Sequence, residues 1–453
     1  MIHRSSSFGR KRNVGRIGWP AILAMTLSGM GRLDAQPRIL TASEAAALAL
    51  EHNHDVLIAR NAVDVAENNR RPGNAGLLPS VGLNANFNYG NNNTSLRFAG
   101  NIPPVENPSA GNTVVGTNLA VSYTVFDGLQ GWFTLRRFGA TEERAETEYR
   151  MALENTVLQT LQAYYELSRA ERNLVIGRAA LDLSAERLRR ARARFESGNA
   201  PRSEILGAQV DLNADSAVFV NARLAVENAK RTLNRLAGGK LGVDFSIDTT
   251  VRLNAPVGLD AVLPAAVENN VNVVLAERRR QEAEWDVKLA KAGVLPRLDL
   301  NAQYGISQQN NDAGILLENR SFGFSGGLTF RFNIFDGSRA KIRIQNAEMS
   351  VKTNELARER ARLVVEEQTR NAFALYENRR FLLELETRNG DVARENYERI
   401  TEQFKQGLAN GTQYREAQVN WVRAQAAREN ARIALKISEI ELLALSGNLL
   451  KSE

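Results

Sequence analysis

The chain contains no cysteine in its 453 residues. Disulfides, thiolate metal centres, a cysteine nucleophile and a lipidated N-terminal cysteine are thereby excluded. Long hydrophobic runs are also missing. Beyond the first 35 residues nothing approaches the ~18 consecutive apolar residues of a membrane-spanning helix. If this protein crosses a membrane, it does so without apolar helices. Methionine is scarce: past that point only Met151 and Met349 remain, too few for a methionine track that binds soft metals. Surplus charge is concentrated as well. The formal net charge is +7, and residues 1–35 hold six basic residues against Asp34, a net of +5. The remaining +2 gives little reason to expect a nucleic-acid partner.

The basic N-terminal stretch precedes "IGWPAILAMTLSGM", and small residues then lead to Leu33-Asp34-Ala35. This pattern predicts a secretory signal over 1–35 with cleavage after Ala35. A retained membrane anchor is the competing reading, but Pro20 interrupts the apolar run, which is short for a span.

What the chain does have is an internal repeat. Glu51-His52-Asn53 matches Glu268-Asn269-Asn270 at an offset of 217, and "AGLLPSVGLNA" from Ala75 matches "AGVLPRLDLNA" from Ala292 at the same offset. Phe126-Asp127-Gly128 returns as Phe335-Asp336-Gly337 at 209, as does the region of Phe195 at Phe404. Repeat 1 occupies 36–240 and repeat 2 occupies 257–447, with a linker at 241–256 and a tail at 448–453. The spacing from Phe126 to Phe195 and from Phe335 to Phe404 is 69 in both copies, so a regular element that tolerates no insertion lies between them.

Each repeat reads as helix, two strands, a very long helix and a return helix. The first helix opens on the capping box Thr41-Ala42-Ser43-Glu44 and runs to about Pro72-Gly73. Its counterpart covers about Leu259 to Lys291. The strands, near 81–90, 114–126, 298–307 and 321–335, alternate strictly. Val81, Leu83, Ala85, Phe87 and Tyr89 are interleaved with Gly82, Asn84, Asn86, Asn88 and Gly90. Phe322, Phe324, Leu328, Phe330, Phe332 and Ile334 form the apolar side of the last strand. A soluble sandwich also alternates. Here, however, the polar side is Asn, Gln, Ser and Gly, the apolar side is aromatic-rich, and the length of about ten suits the 9–11 residues of a transmembrane β-strand. The segments between strands, Asn91 to Asn112 and Gln308 to Arg320, are polar and contain the eight-residue difference between the offsets, as outer loops would. Four strands cannot close a barrel, and an open edge in lipid leaves backbone groups unpaired. The barrel must therefore be shared, with eight strands in a dimer or twelve in a trimer.

Residues 128–197 and 337–406 contain no proline, and in the first of them apolar residues recur at three-and-four spacing, for example Leu153, Val157, Leu161 and Tyr164. A helix of that length is roughly 105 Å long. Return helices at 201–237 and 411–446, each with a first helix, can line it. A scaffolding coiled coil without a pore is the alternative, and it leaves the signal and the strands unexplained.

These residues carry a resemblance. Leu78-Pro79 and Leu295-Pro296 before the first strands, the two Phe-Asp-Gly motifs, Arg194-Phe195-Glu196-Ser197-Gly198 and, without the arginine, Phe404-Lys405-Gln406-Gly407 resemble TolC-type outer-membrane efflux and secretion channels over about residues 38–447. The resemblance implies a mixed α/β membrane protein and a homotrimer sharing one 12-stranded barrel, continued by a periplasmic helical tunnel. It implies outer-membrane lipid around the barrel, a periplasmic adaptor and an inner-membrane pump as partners, and no enzyme activity or cofactor.

At the hairpin tips, Gly198 and Gly407 suit the left-handed residue that ends a helix. The resemblance adds adaptor docking by Arg194, Phe195, Gly198, Phe404 and Gly407. It also brings Glu204 and Glu416 onto acidic gate positions, where threefold rings of carboxylates select cations, and Gln413 onto a gate position where some members have Asp. Phe404 lacks a hydroxyl and Ala409 replaces a basic latch residue of some members, so any lock is built differently. At the seams, Phe126 and Phe335 are expected at the lipid boundary, Asp127 and Asp336 as helix caps, and Gly128 and Gly337 in the turn. Arg331 is expected to face the lumen, either free or paired with Asp299. His52-Asn53-His54 has a metal-binding spacing only on a strand; in the middle of a helix i and i+2 diverge, so no metal site is expected. Neither a phosphate loop nor a nucleophile–base pair appears.

Overall fold

The computed structural model describes residues 39–451 apart from 243, 257 and 313–315. The signal expected at 1–35 lies outside them. In chain order the elements are β1 (Ile39–Leu40), α1 (Ala42–His52), α2 (His54–Asn69), β2 (Ser80–Leu96), β3 (Val105–Phe126), α3 (Gln130–Glu196), α4 (Arg202–Leu236), β4 (Ser246–Ile247), α5 (Leu259–Asn269), α6 (Val271–Ala292), β5 (Arg297–Asn311), β6 (Glu318–Arg331), α7 (Arg339–Lys405) and α8 (Gly411–Leu445). No helix among them is long and apolar enough to cross a membrane.

β2, β3, β5 and β6 form one antiparallel sheet in that order, so β2 and β6 are its open edges. The alternation is realised as two chemically distinct faces. On one, Asn84 donates to Asn118 and Asn118 to Gln303, Ser122 donates to Asn301, and Thr124 donates to Asp299 at 2.8 Å. On the other, Val81, Leu83, Phe87, Phe322, Phe324, Leu328 and Phe330 are exposed. A sheet with nothing packed on its aromatic face requires an apolar solvent or a partner.

The strands outrun their expected bounds. β2 has 17 residues and β3 has 22, and they extend into the polar segments expected to be loops. Side-chain amides and hydroxyls carry the pairing outward: Asn91 bonds Ser109, and Asn112 bonds Asn311. The last strand also begins early, at Glu318 rather than 321, and stops short at its inner end, at Arg331 rather than 335.

The long helices match in the two repeats, 67 residues each, with 35-residue return helices. The first helices differ from expectation, because each is broken in two. Asn53 (φ −66°, ψ 131°) and Asn270 (φ −61°, ψ 128°) leave the helical region. Each then caps the following helix, Asn53 accepting from the Asp55 N–H and Asn270 from the Asn272 N–H. Their amide groups donate 3.0 Å bonds to the last carbonyls of the return helices, Leu236 and Leu445. His52 and His54 thus flank a break instead of sharing a mid-helix turn. The thirty-two-residue rod becomes a bent pair because a buried asparagine satisfies two helix ends at once.

The linker region holds β4, which pairs in parallel with β1. Tyr164 of α3 packs beneath them with Leu167 and Leu233, and its hydroxyl, with one proton shared between them, lies 2.9 Å from both the Leu40 and the Asp248 carbonyl oxygens. Burial raises the Tyr164 pKa, and the phenol stays a donor. The beginning of repeat 1 and the join to repeat 2 are so fastened to the middle of the same long helix.

Candidate functional site: helical tips and strand-to-helix seams

Both tips close by the same backbone chemistry. At the first, Gly198 adopts φ +73°, its N–H bonds the Phe195 carbonyl at 2.9 Å and the Asn199 N–H bonds Arg194 at 2.8 Å. At the second, Gly407 adopts φ +77°, with bonds from Gly407 to Phe404 at 3.2 Å and from Leu408 to Gln403 at 2.8 Å. These are Schellman motifs, which satisfy the orphan carbonyls of a helix end.

The side chains of the two tips diverge. Phe195 is exposed, whereas Phe404 turns inward and stacks on Tyr414 with ring centroids 5.0 Å apart. Tyr414 meets Tyr397 through their hydroxyls, and Tyr397 stacks on Trp421 at 4.6 Å. Tyr414 is buried and its pKa is raised. Arg194 crosses between the hairpins: it lies 6.0 Å over the Phe404 ring and bonds Glu204 at 3.0 Å. A groove of about 790 Å³ separates the tips, lined by Arg190, Arg194, Glu204, Phe404, Leu408 and Gln413.

The three gate candidates fare differently. Glu204 is neutralised by Arg194. Gln413 is spent on a capping box, its Oε1 accepting from the Asn410 N–H at 2.9 Å while its own N–H bonds Asn410 Oδ1. Glu416 is exposed and forms no ion pair among the described residues.

Beside Glu416 lies a charge cluster not anticipated from sequence. Arg415 of α8 forks onto Asp215 of α4 at 2.7 and 2.9 Å, reaches Asp211 at 3.4 Å and donates to Ser184 of α3 at 3.2 Å. Arg187 of α3 pairs with Asp211, and Ser184 donates to Asp215. The hydrogen bond to Asp215 raises the Arg415 pKa against the opposing effect of burial. This cluster fastens the second hairpin to the first just behind the tips. No sequence spacing announces it, since its members come from three helices.

At the seams, Asp127 accepts from the Gly131 N–H at 2.6 Å and Asp336 from the Ala340 N–H at 2.9 Å. Two consecutive left-handed residues make each turn: Gly128 (φ 69°) with Leu129 (φ 70°), and Gly337 (φ 69°) with Ser338 (φ 67°). Leu129 and Ser338 are the two non-glycine residues with positive φ among those described. The surroundings are unequal. A Cβ on Gly128 would lie 2.5 Å from Leu295 Cβ, in the Leu-Pro corner of repeat 2, whereas one on Gly337 would meet nothing. Phe126 is 41% exposed and Phe335 83%. Because β6 ends at Arg331, Phe335 lies beyond the strand rather than at its last residue.

An apolar sheet with open edges, long paired helices and Gly-closed tips in two copies is now described. The family description "Outer membrane efflux protein" matches residues 45–239 and 262–448. The chain belongs to that family. It is thus an outer-membrane protein with the TolC-like fold. It is 22% identical to outer membrane protein TolC of Escherichia coli K12 over 338 residues, covering 73% of this chain and 66% of TolC. It is 24% identical to the alkaline protease secretion protein AprF of Pseudomonas aeruginosa over 269 residues, covering 58% of this chain and 55% of AprF. These matches therefore span less than two thirds of the relatives' length. Among solved structures, the Campylobacter jejuni CmeC outer membrane channel superposes with a TM-score of 0.75 over 95% of this chain and 94% of that one, at 17% identity.

Proposed function

We propose that the chain is the exit duct of a tripartite efflux or type I secretion system, passing substrates from a periplasmic adaptor and inner-membrane pump to the exterior. The observation that carries this reading is the four-stranded sheet, lined with hydrogen-bonded amides on one face and exposed aromatics on the other, with both edges open. Three copies would join β6 to β2 of the next subunit, giving twelve strands without an edge. The same closure would bring the Leu-Pro corner of a neighbouring repeat 1 against Gly337, which stands open in the single chain.

In this reading the pump supplies the energy and the channel is not an enzyme. The exposed Phe195 and the turn at Gly198 and Gly407 are the adaptor-docking surface, with Arg194 and Phe404 holding the two tips in register. The gate role falls on Glu416, because Glu204 and Gln413 are occupied by other contacts. The duct is tested by planar-bilayer recording of the heat-sensitive trimer from outer-membrane fractions. Conductance is expected. A trimer without conductance would favour a structural coiled coil instead. Glu416→Ala is expected to reduce cation preference and change the conductance, as the loss of three carboxylates on an axis would. Unchanged values would remove Glu416 from the gate.

A further inference from the structure

Arg297 and Arg331 are direct register partners on β5 and β6, an unfavourable like-charge pair. The structure resolves it asymmetrically. Arg297 turns to Asp299, with its Nε 2.8 and 2.9 Å from the two carboxylate oxygens, and its Nη2 donates to Thr124 at 3.0 Å. Asp299 also accepts from Thr124. Its capacity is taken up, and Arg331 is left exposed, with no side-chain hydrogen bond or ion pair among the described residues.

No other carboxylate lies on the strands at this level. On the seam side of Gln308 and Arg320, the four strands carry three charged side chains, Arg297, Asp299 and Arg331. β2, the edge that would pair with β6 of a neighbouring subunit, contains no acidic residue at all. Arg331 shares the face of Asp299, Asn301 and Gln303, opposite the exposed aromatics. The guanidinium feels the Asp299 charge at a distance but donates no hydrogen bond among the described residues, so its N–H groups remain open to a ligand.

We propose that Arg331 forms a ring of unpaired guanidiniums at the base of the barrel lumen, a transient binding site for the anionic groups (phosphate, sulfate or carboxylate) of passing solutes. This rests on the exit-duct reading, in which three subunits bring three such side chains to one level. A planar guanidinium donates two parallel hydrogen bonds to such oxyanions. An exposed site of this kind holds an anion weakly enough to release it, as conduction requires. The ring lies at the seam, separated from Glu416 by the length of the 67-residue helix, so anion selection and the tip gate are separate elements.

The test is current block by inorganic tripolyphosphate added on the barrel side of trimers in planar bilayers. Wild type is expected to show a voltage-dependent, reversible block. Arg331→Gln is expected to raise the half-blocking concentration about tenfold, and Arg331→Lys to retain most of the block. Asp299→Asn, which frees Arg297, is expected to lower that concentration. Equal half-blocking concentrations in wild type, Arg331→Gln and Asp299→Asn would overturn the proposal while leaving the duct intact. Absence of any conductance in the wild type would instead overturn the duct, and this inference with it.

Discussion

Glu277 of α6 is held between Arg280 of its own helix and Arg358 of α7, 3.0 Å away. The hydrogen bond from Arg280 leads the causes that bring its pKa down to about 2, with Arg358 contributing and burial opposing. A carboxyl whose pKa falls on folding stabilises fully above its unfolded value and loses that contribution as the pH drops through the folded value. For Glu277 the window runs from the ordinary 4.5 down to about 2. Glu277→Gln is expected to lower stability on the order of 1 kcal/mol above pH 5, as for a partly exposed network. The difference from wild type should shrink steadily below pH 4.5, read by thermal unfolding in detergent across that range. A constant difference down to pH 2.5 would show that the pair does not titrate as described. Such local ion pairs are only half legible in sequence. Arg280 is three residues from Glu277 and could be foreseen, whereas Arg358 arrives from another element.

At the scale of the element, the Phe-Asp-Gly turn shows how one local motif acquires two environments. The aspartate cap and the pair of left-handed residues are the same in both copies. Alanine at either glycine meets the left-handed penalty of roughly 1–2 kcal/mol. Gly128→Ala additionally places its Cβ against Leu295 and the Ala292 carbonyl, whereas Gly337→Ala has open space in the single chain. In dilute monomer, Gly128→Ala is expected to be the more destabilising by at least ~1 kcal/mol, measured by urea unfolding. In the proposed trimer the two costs should converge if the neighbouring Leu-Pro corner fills the second site. The broken first helices carry a similar lesson. The match of Glu51-His52-Asn53 with Glu268-Asn269-Asn270 was visible as a repeat. That the asparagines break the helices was not, because their second partners, Leu236 and Leu445, lie 183 and 175 residues away.

For the whole molecule, the question is what keeps two hairpins together at their tips. The cluster of Arg415, Asp211, Asp215, Arg187 and Ser184 spans α3, α4 and α8, and its side chains are largely shielded from solvent. Truncating one member of such a pair leaves the other charge without compensation. Arg415→Met is expected to destabilise the tip region by about 2–4 kcal/mol and to increase limited proteolysis between Arg187 and Arg202. Cleavage near Tyr164 should be unchanged, because that segment is fastened by Leu40 and Asp248. Digestion followed by mass spectrometry checks both sites. Equal protection at the tips in wild type and variant would show that the cluster does not join the hairpins.

The amino-acid sequence by itself determined everything governed by near neighbours in the chain. The period-two strands follow from alternating side chains, the long helices from unbroken helical periodicity, the tips from Gly198 and Gly407, and the helix starts from Thr41, Asp127 and Asp336. Each of these needs only a few consecutive residues to satisfy backbone groups or bury one face. Tertiary structure alone decided which copy of a repeated motif is buried and which is open. It laid Arg194 over the Phe404 ring, drew Arg297 to Thr124 and forked Arg415 onto Asp215. Those outcomes depend on how 67-residue rods and a four-stranded sheet come into register across hundreds of residues. No pattern within one segment encodes that register, because it is the sum of contacts along the full length of the partners.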